Sequence, residues 1–313
     1  MAAKKSAVRV AAVAAVALAL TSVTGCGGGK SGGGGSSAAE GTQAPQGARE
    51  GGGAPGGESP AAMAISALRK AVDATDGKHS AKVDGSMAMG DMMSADLKGA
   101  FDWSQGMQGD VTMNYTGGQM GDLLKEMAGG GGMRALYLRD AYYASMGDEM
   151  SAKIGGKHWI KYDYDWMAQK MGPSGAYMKD QMQNNNPTRS ARLVIESGDV
   201  RAAGTEDVRG VKATHYTGTV DVTKIAEKSS TLGKDAVDGL KRQLGQQGAT
   251  TEQIDLWVSE DNLLIKKVER AQGSRGAVNS TVYYSDFGTS VTLSAPPASD
   301  TLDAARSAGA GAA

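Results

Sequence analysis

Cysteine occurs once in the 313 residues, at position 26, so no disulfide can form within the chain. If the chain is exported to an oxidising compartment, its stability must therefore come from a core. Charge of one sign is also lacking: the formal balance is −1. That removes the basic excess expected of a nucleic-acid binder or of electrostatic attachment to a membrane surface. There are two phenylalanines and three histidines. His79, His158 and His215 fall on separate predicted strands with no metal-ligand spacing and no partner nucleophile, so they read as strand-face residues. The acidic pairs Asp148-Glu149 and Glu206-Asp207 fall at predicted turns and read as solvated, and nothing suggests two carboxylates converging on a cleft as a glycosidase needs. The expectation is a non-enzymatic protein without cofactor or metal.

Long apolar runs are missing too. Val10 to Leu20 is uncharged, but at about 11 residues it is too short to span a bilayer. It follows Lys4, Lys5 and Arg9 and leads into the small and polar residues Thr21 to Gly25, the layout of an export signal over residues 1–25. Val23-Thr24-Gly25-Cys26 resembles the lipobox of bacterial lipoproteins. That resemblance implies a diacylglyceryl thioether on Cys26, cleavage before it, and stable anchoring through two acyl chains on the extracytoplasmic face of the cell membrane. From residue 26 to 60 the chain is mostly Gly, Ser, Ala and Pro, too poor in apolar surface to order itself. As a flexible coil, Gly27 to Pro60 would average roughly 30 Å end to end, enough to lift a domain clear of headgroups. Gly29-Lys30-Ser31 has the wrong spacing for a phosphate loop, and Gly29 to Gly33 lacks the strand and helix of a nucleophile elbow.

The remainder supports one β-rich domain over residues 61–297. Ala61 to Thr75 carries Ile65, Leu68 and Val72 on one stripe, with Ser59 and Pro60 suited to its start. Alternating strands follow over His79–Met89, Ser94–Trp103 and Met107–Tyr115. Next come a short helix over Gln119–Met127, a hairpin over Met133–Ala144 turning at Arg139-Asp140, and a strand over Lys157–Tyr162. Helical spacing covers Asp165–Met171, Ser174–Gln183 and Thr188–Ser197, the last capped by Asn186-Pro187. Strands over Gly198–Gly210 and Val211–Val220, helices over Val222–Ser229 and Asp235–Leu244, and three strands between Gln253 and Phe287 complete the pattern. Ala295-Pro296-Pro297 reads as the end of the fold, with residues 298–313 a disordered tail. The order predicts an α+β fold: a single curved antiparallel β-sheet with helices packed in its concave side.

Three motifs carry a resemblance. Gly204-Thr205-Glu206-Asp207-Val208-Arg209-Gly210-Val211 running to Tyr216, the hairpin Leu256-Trp257-Val258-Ser259 running to Val268, and Tyr284-Ser285-Asp286-Phe287-Gly288 followed by Ala295-Pro296-Pro297 resemble actinobacterial lipoproteins of the LppX/LprA/LprF/LprG group, within the LolA/LolB-like superfamily. The resemblance implies a LolA-like half-barrel closed by helices around an apolar cavity, and a lipid or glycolipid ligand. The Met-rich and Gly-rich first half departs from that pattern.

All 17 methionines lie at or before Met182. Thioethers suit Cu(I), and Met87, Met89, Met92 and Met93 lie close together, but copper sites usually add His or Cys. Flexible apolar filling of a core or a cavity wall is the preferred reading. The cavity candidates are Met87, Met89, Leu97, Phe101, Trp103, Met113, Tyr115, Leu136, Leu138, Tyr142, Leu256 and Val282; alternation alone does not separate a cavity wall from a solid core. The expected partners are the membrane, through Cys26, and an apolar ligand; the protein is expected to be monomeric. A ligand-free interaction or sensor lipoprotein is the competing reading.

Overall fold

The computed structural model describes residues 58–184, 186–221, 251–273 and 276–310. The export signal, Cys26, most of the tether and the two helices expected within 222–244 lie outside the described residues. Helix α1 (Pro60–Asp76) opens the domain. Its first turn is set by Ser59, whose hydroxyl accepts from Ala62 N at 3.2 Å, and by Pro60 at a position with no amide to satisfy. Of the predicted stripe, Leu68 and Val72 are buried and Ile65 is half-buried against the same core, with Ala64 and Ala71 buried beside them.

Strands β1 (Ser80–Met89), β2 (Met93–Asp102) and β3 (Gln108–Gly117) form an antiparallel meander. At its end Gly118, with φ +88°, turns the chain into α2 (Gln119–Met127), and a Cβ there would stand 2.5 Å from the backbone of Met92. Strands β4 (Met133–Tyr137) and β5 (Ala141–Ser145) make the expected hairpin. Then follow α3 (Asp148–Lys153), β6 (Trp159–Asp163), α4 (Tyr164–Met171), α5 (Pro173–Asn184) and α6 (Arg189–Ser197). Strands β7 (Val200–Val208), β8 (Val211–Asp221), β9 (Thr251–Ser259), β10 (Leu264–Gly273) and β11 (Gly276–Ser285) complete the antiparallel part.

All strands among the described residues, with a short C-terminal one, β12 (Thr301–Asp303), belong to one unclosed, curved sheet of twelve, in the order β12-β6-β5-β4-β3-β2-β1-β11-β10-β9-β8-β7. The α+β class with a single antiparallel sheet is thus as expected from the sequence. One face carries the main core. There, Leu68 and Val72 of α1, Leu124 of α2, Met167 of α4, Met178 and Met182 of α5 and Val194 of α6 meet inward residues of the strands. The opposite face carries two smaller clusters, one around Trp257 and one around Leu136 and Tyr143.

Four expectations need correction. The acidic pair Asp148-Glu149 opens the first turn of α3 instead of lying in a turn. The residue at the head of α6 is Thr188, not Asn186; Asn186 and Thr188 instead bond the Asp76 carboxylate at the end of α1. Glu206 lies within β7, not in a turn. The chain past Pro297 is structured up to Ala310. After β11 it crosses the face opposite the helices, where Leu293 packs with Leu136 and Tyr143. It then forms a 3-10 turn (Ala298–Asp300), strand β12 (Thr301–Asp303) paired in parallel with β6, and helix α7 (Ala304–Ala310). The Pro-Pro pair therefore bends the chain without ending the fold. The Asp300 and Asp303 carboxylates help hold the segment, accepting from His158 N at 3.0 Å and from Ala305 N at 3.0 Å.

Candidate functional site

The sheet presents two chemically different faces. On the helix-covered face, Trp103, Met113, Tyr115, Tyr142 and Leu256 are buried in the main core, and Met87, Met89, Leu97, Phe101 and Val282 are half-buried against it. Ten of the twelve cavity candidates thus share one interior. Leu136 and Leu138 do not: both belong to the cluster on the opposite face, because Ala135 and Tyr137 are the β4 residues that point into the main core. Both parities of the hairpin are apolar because the crossing segment with Leu293 covers its outer side. Alternation fades on a sheet buried on both faces. Met87, Met89 and Met93 join the helix-covered core. Among the described residues no group of three or more His, Cys, Asp or Glu could hold a metal.

Where β4 to β6 meet α4 and α5, the interior is a cluster of tyrosines. Tyr137 and Tyr142 have ring centroids 5.1 Å apart, Tyr142 and Tyr162 6.0 Å, and Phe101 lies 5.5 Å from Tyr137. The Tyr115 hydroxyl reaches the Met133 sulfur at 3.9 Å. Burial pushes Tyr162 up to about 12, and raises Tyr115, Tyr137, Tyr142 and Tyr164 as well. All five are therefore neutral donors at any physiological pH. Tyr142 and Tyr164 are each 1 % exposed, and neither hydroxyl meets a hydrogen-bond partner among the described residues. Sequence reasoning missed Tyr162 and Tyr164 as site residues. The signal was present: Ile160, Tyr162 and Tyr164 continue one parity into the first residue of α4.

The other half of the same interior holds charge. Lys267 Nζ lies 3.0 Å from Glu269 Oε1 and donates to Ser190 Oγ of α6 at 3.2 Å, while the Ser190 hydroxyl donates to Glu269. Burial would pull the Lys267 ammonium down, but Glu269, Tyr284 and Glu252 more than offset it, so its pKa stands above the usual lysine value. Nearby Glu252 is raised, first by burial and then by the charge of Glu269. No pattern in the sequence marks this pair, because a bulge between Leu264 and Lys266 resets the strand's parity: Ile265 and Lys266 both join the outer face before Lys267 turns in.

On the opposite face, the motif residues bind one another. Trp257 donates its indole N–H to Glu206, stacks on His215 at 4.3 Å with planes 5° apart, and carries Lys266 over its ring at 3.8 Å. His215 Nε2 lies 2.8 Å from Asp255 Oδ1, and Arg270 pairs with the other oxygen. Burial alone would raise Asp255, but hydrogen bonds from His215, Thr217 and Arg270 hold its carboxyl below the usual aspartate value. Arg209 sits 3.6 Å over Tyr283 and pairs with Asp84 at 3.2 Å. Beside this ladder an open groove of about 670 Å³ runs between Lys82, Asp84, Lys98, Asp110, Arg209 and Ser290 to Thr292. Its walls mix these charged side chains with Val83, Ala100 and Val291. His158 lies beyond the groove, at the start of β6, 2.8 Å from Asp300 Oδ1, and His79 is exposed between α1 and β1.

Comparison with known proteins places this arrangement among relatives. No family model matches. An uncharacterized 31.2 kDa protein from the rplA-rplJ intergenic region of Streptomyces griseus is 48% identical over 242 residues, covering 77% of this chain and 79% of that one. A Streptomyces coelicolor protein whose name classes it with the lipoproteins is 38% identical over 237 residues, covering 76% and 74%. Among solved structures, Mycobacterium tuberculosis lipoprotein LppX is similar at 13% identity and a TM-score of 0.45, over 74% of this chain and 98% of that one. LprF from Mycobacterium bovis is similar at 18% identity and a TM-score of 0.45, over 76% and 99%.

Proposed function

This chain belongs to an actinobacterial lipoprotein family, the one that holds the two Streptomyces relatives, and on that premise we propose that it is a non-enzymatic carrier of lipid or acyl-chain ligands. In this reading a diacylglyceryl group on Cys26 anchors it to the extracytoplasmic face of the cell membrane. The tether to residue 60 frees a single domain, which continues past Pro297 to α7, to reach the bilayer as a monomer. Between helices and sheet the domain takes up apolar chains.

The observation that carries the proposal is the character of that interior. Met113, Met133, Met146, Met167, Met178 and Met182 are all buried in that one cluster, contributed by β3, β4, the turn after β5, α4 and α5. A core built only for stability favours branched aliphatics with defined rotamers, whereas unbranched thioethers repack around a guest. Each CH2 taken from water into such a space contributes about 0.8 kcal/mol, so one long chain gives useful affinity. A ligand-free interaction lipoprotein is the second reading. It is favoured by the continuity of side-chain packing from α1 through both halves of the core, and by the open groove flanked by charged side chains on the opposite face.

The test is organic extraction of protein purified from its native membrane, followed by mass spectrometry. Lipid at close to one per protein supports carriage, and a clean blank leaves the interaction reading. Replacing Cys26 by alanine is expected to release the protein from the membrane fraction; retention there would refute the anchor.

A further inference from the structure

We propose that the groove on the face opposite the helices docks an extended, acidic polypeptide segment, which pairs its main chain with Ser290 to Thr292 and seats a carboxylate on Lys98. The inference goes beyond the carrier reading and does not depend on it, since the groove and the helix-covered interior lie on opposite faces of the sheet.

Three parts of the chain build the groove. The first is the outer face of β1 to β3. There Ala100 stands between Lys82 and Asp110 in one cross-strand row and leaves a low point among longer side chains. The second is Arg209 at the β7–β8 turn, fixed over the Tyr283 ring at 3.6 Å and beside Asp84 at 3.2 Å. The third is the segment that crosses the sheet after β11. Before the groove, Gly288 N donates to Ser80 O at 2.9 Å and Ser80 Oγ donates to Thr289 O at 2.6 Å. After it, Leu293 packs with Leu136 and Tyr143. The segment is thus pinned on both sides of Ser290 to Thr292, so little order is lost when a partner pairs with it.

Two kinds of binding capacity are left unused here. Among the described residues, Ser290, Val291 and Thr292 make no hydrogen bond through main chain or side chain. Three consecutive N–H and C=O groups and two hydroxyls are left to solvent, which is what an added strand exploits. The charges are uneven as well. Lys82 pairs with Asp286 at 2.7 Å, Arg209 with Asp84, and Asp110 with Arg134 Nε at 2.9 Å. Lys98 is exposed and has no ion-pair partner among the described residues, because its cross-strand neighbour Asp84 is taken by Arg209. One uncommitted cation therefore stands in a groove bordered by uncommitted main chain. A small anion answers only the cation, and a neutral or basic peptide answers only the main chain. An extended segment with a carboxylate side chain answers both, and a groove of about 670 Å³ is of the size that ligand clefts commonly have.

The experiment uses full-length protein in detergent micelles and two labelled, end-blocked hexapeptides of alternating threonine and valine, one with a central glutamate and the other with lysine in its place. Fluorescence anisotropy is expected to show the wild type binding the glutamate peptide about three- to fivefold more tightly, the worth of an exposed ion pair. Lys98→Gln should level the two peptides and Lys98→Glu should reverse their order. Methylating the main-chain nitrogens of the glutamate peptide, a test that needs no variant, should weaken binding by about tenfold or more. Hydrogen exchange read by mass spectrometry should slow at Ser290 to Thr292 when the glutamate peptide is bound. Equal binding of the two peptides by the wild type, or a preference that survives Lys98→Gln, would overturn the role of Lys98. Full binding of the methylated peptide, or unchanged exchange at Ser290 to Thr292, would overturn the main-chain pairing. Acetylglutamate binding as tightly as the peptide would put a small-anion site in place of strand addition. Binding of neither peptide would overturn the docking site and leave lipid carriage standing.

Discussion

Replacing Lys267 by methionine isolates the energetics of the buried pair. In the native fold the Lys267 and Glu269 side chains are only 7% and 10% exposed, and Ser190 supplies the third hydrogen-bonding group. Taking away the ammonium leaves the Glu269 carboxylate buried with a single hydroxyl donor. Breaking one partner of such a pair costs about 3–5 kcal/mol. At about 2.1 cal/mol/K per residue, a domain of about 235 residues unfolds with roughly 0.5 kcal/mol/K, so the melting temperature should fall by about 6–10 °C. The double variant Lys267→Met with Glu269→Met removes both charges and leaves only the Ser190 hydroxyl short of an acceptor, worth about 1 kcal/mol. It should therefore melt within about 2–3 °C of the wild type. Differential scanning calorimetry at neutral pH measures both. A single variant that melts like the wild type, or a double variant as weak as the single one, would refute the reasoning.

Glu252 gives the opposite sign to a surface carboxylate: because its pKa is raised in the fold, the folded state holds the proton more tightly. Its contribution is fullest below the ordinary value of 4.5 and is lost as pH rises through the raised value, so thermal stability should decline over that window and Glu252→Gln should flatten the profile. Trp257→Phe keeps an aromatic ring beside His215 but deletes the donor to Glu206. A loss of about 1 kcal/mol, or about 2–4 °C, is expected, with faster amide exchange along β7. Asp300→Ala removes the acceptor of His158 N and Nδ1 and should speed exchange at Trp159 to Lys161 while leaving the melting temperature nearly unchanged. Unaltered exchange there would show that the β12–β6 pairing holds without the latch.

Much of the architecture was legible because one face of most strands is buried and the other wet. Ala81 and Val83 on β1, and Val111, Met113 and Tyr115 on β3, point into the core as their spacing predicts. The helix over Gln119–Met127 keeps its predicted bounds, with Gly118 at its entry. Legibility failed where the physics is not local. Leu136 and Leu138 stand apart from the other ten cavity candidates because a segment more than 150 positions later in the chain covers their side of the hairpin. Lys267 and Glu269 were passed over because one bulge shifts their register and because nothing in a strand pattern announces a charge that turns inward to meet Ser190. Tyr142 is a cavity candidate by its sequence position and is buried in the structure, but its unpartnered hydroxyl follows from tertiary packing that no strand pattern announces.

The short parallel strand β12 also governs what happens at the rim of the sheet. Many copies tethered to one bilayer meet at high local concentration, and two long bare strand edges would invite them to zip together. At one rim the outermost strand is only three residues long and runs straight into α7. At the other, β7 breaks its ladder between Ala202 and Gly204 and carries Arg201, Glu206 and Asp207 along its length. An unclosed sheet is thereby kept from recruiting its neighbours, so crowding on the membrane need not become aggregation.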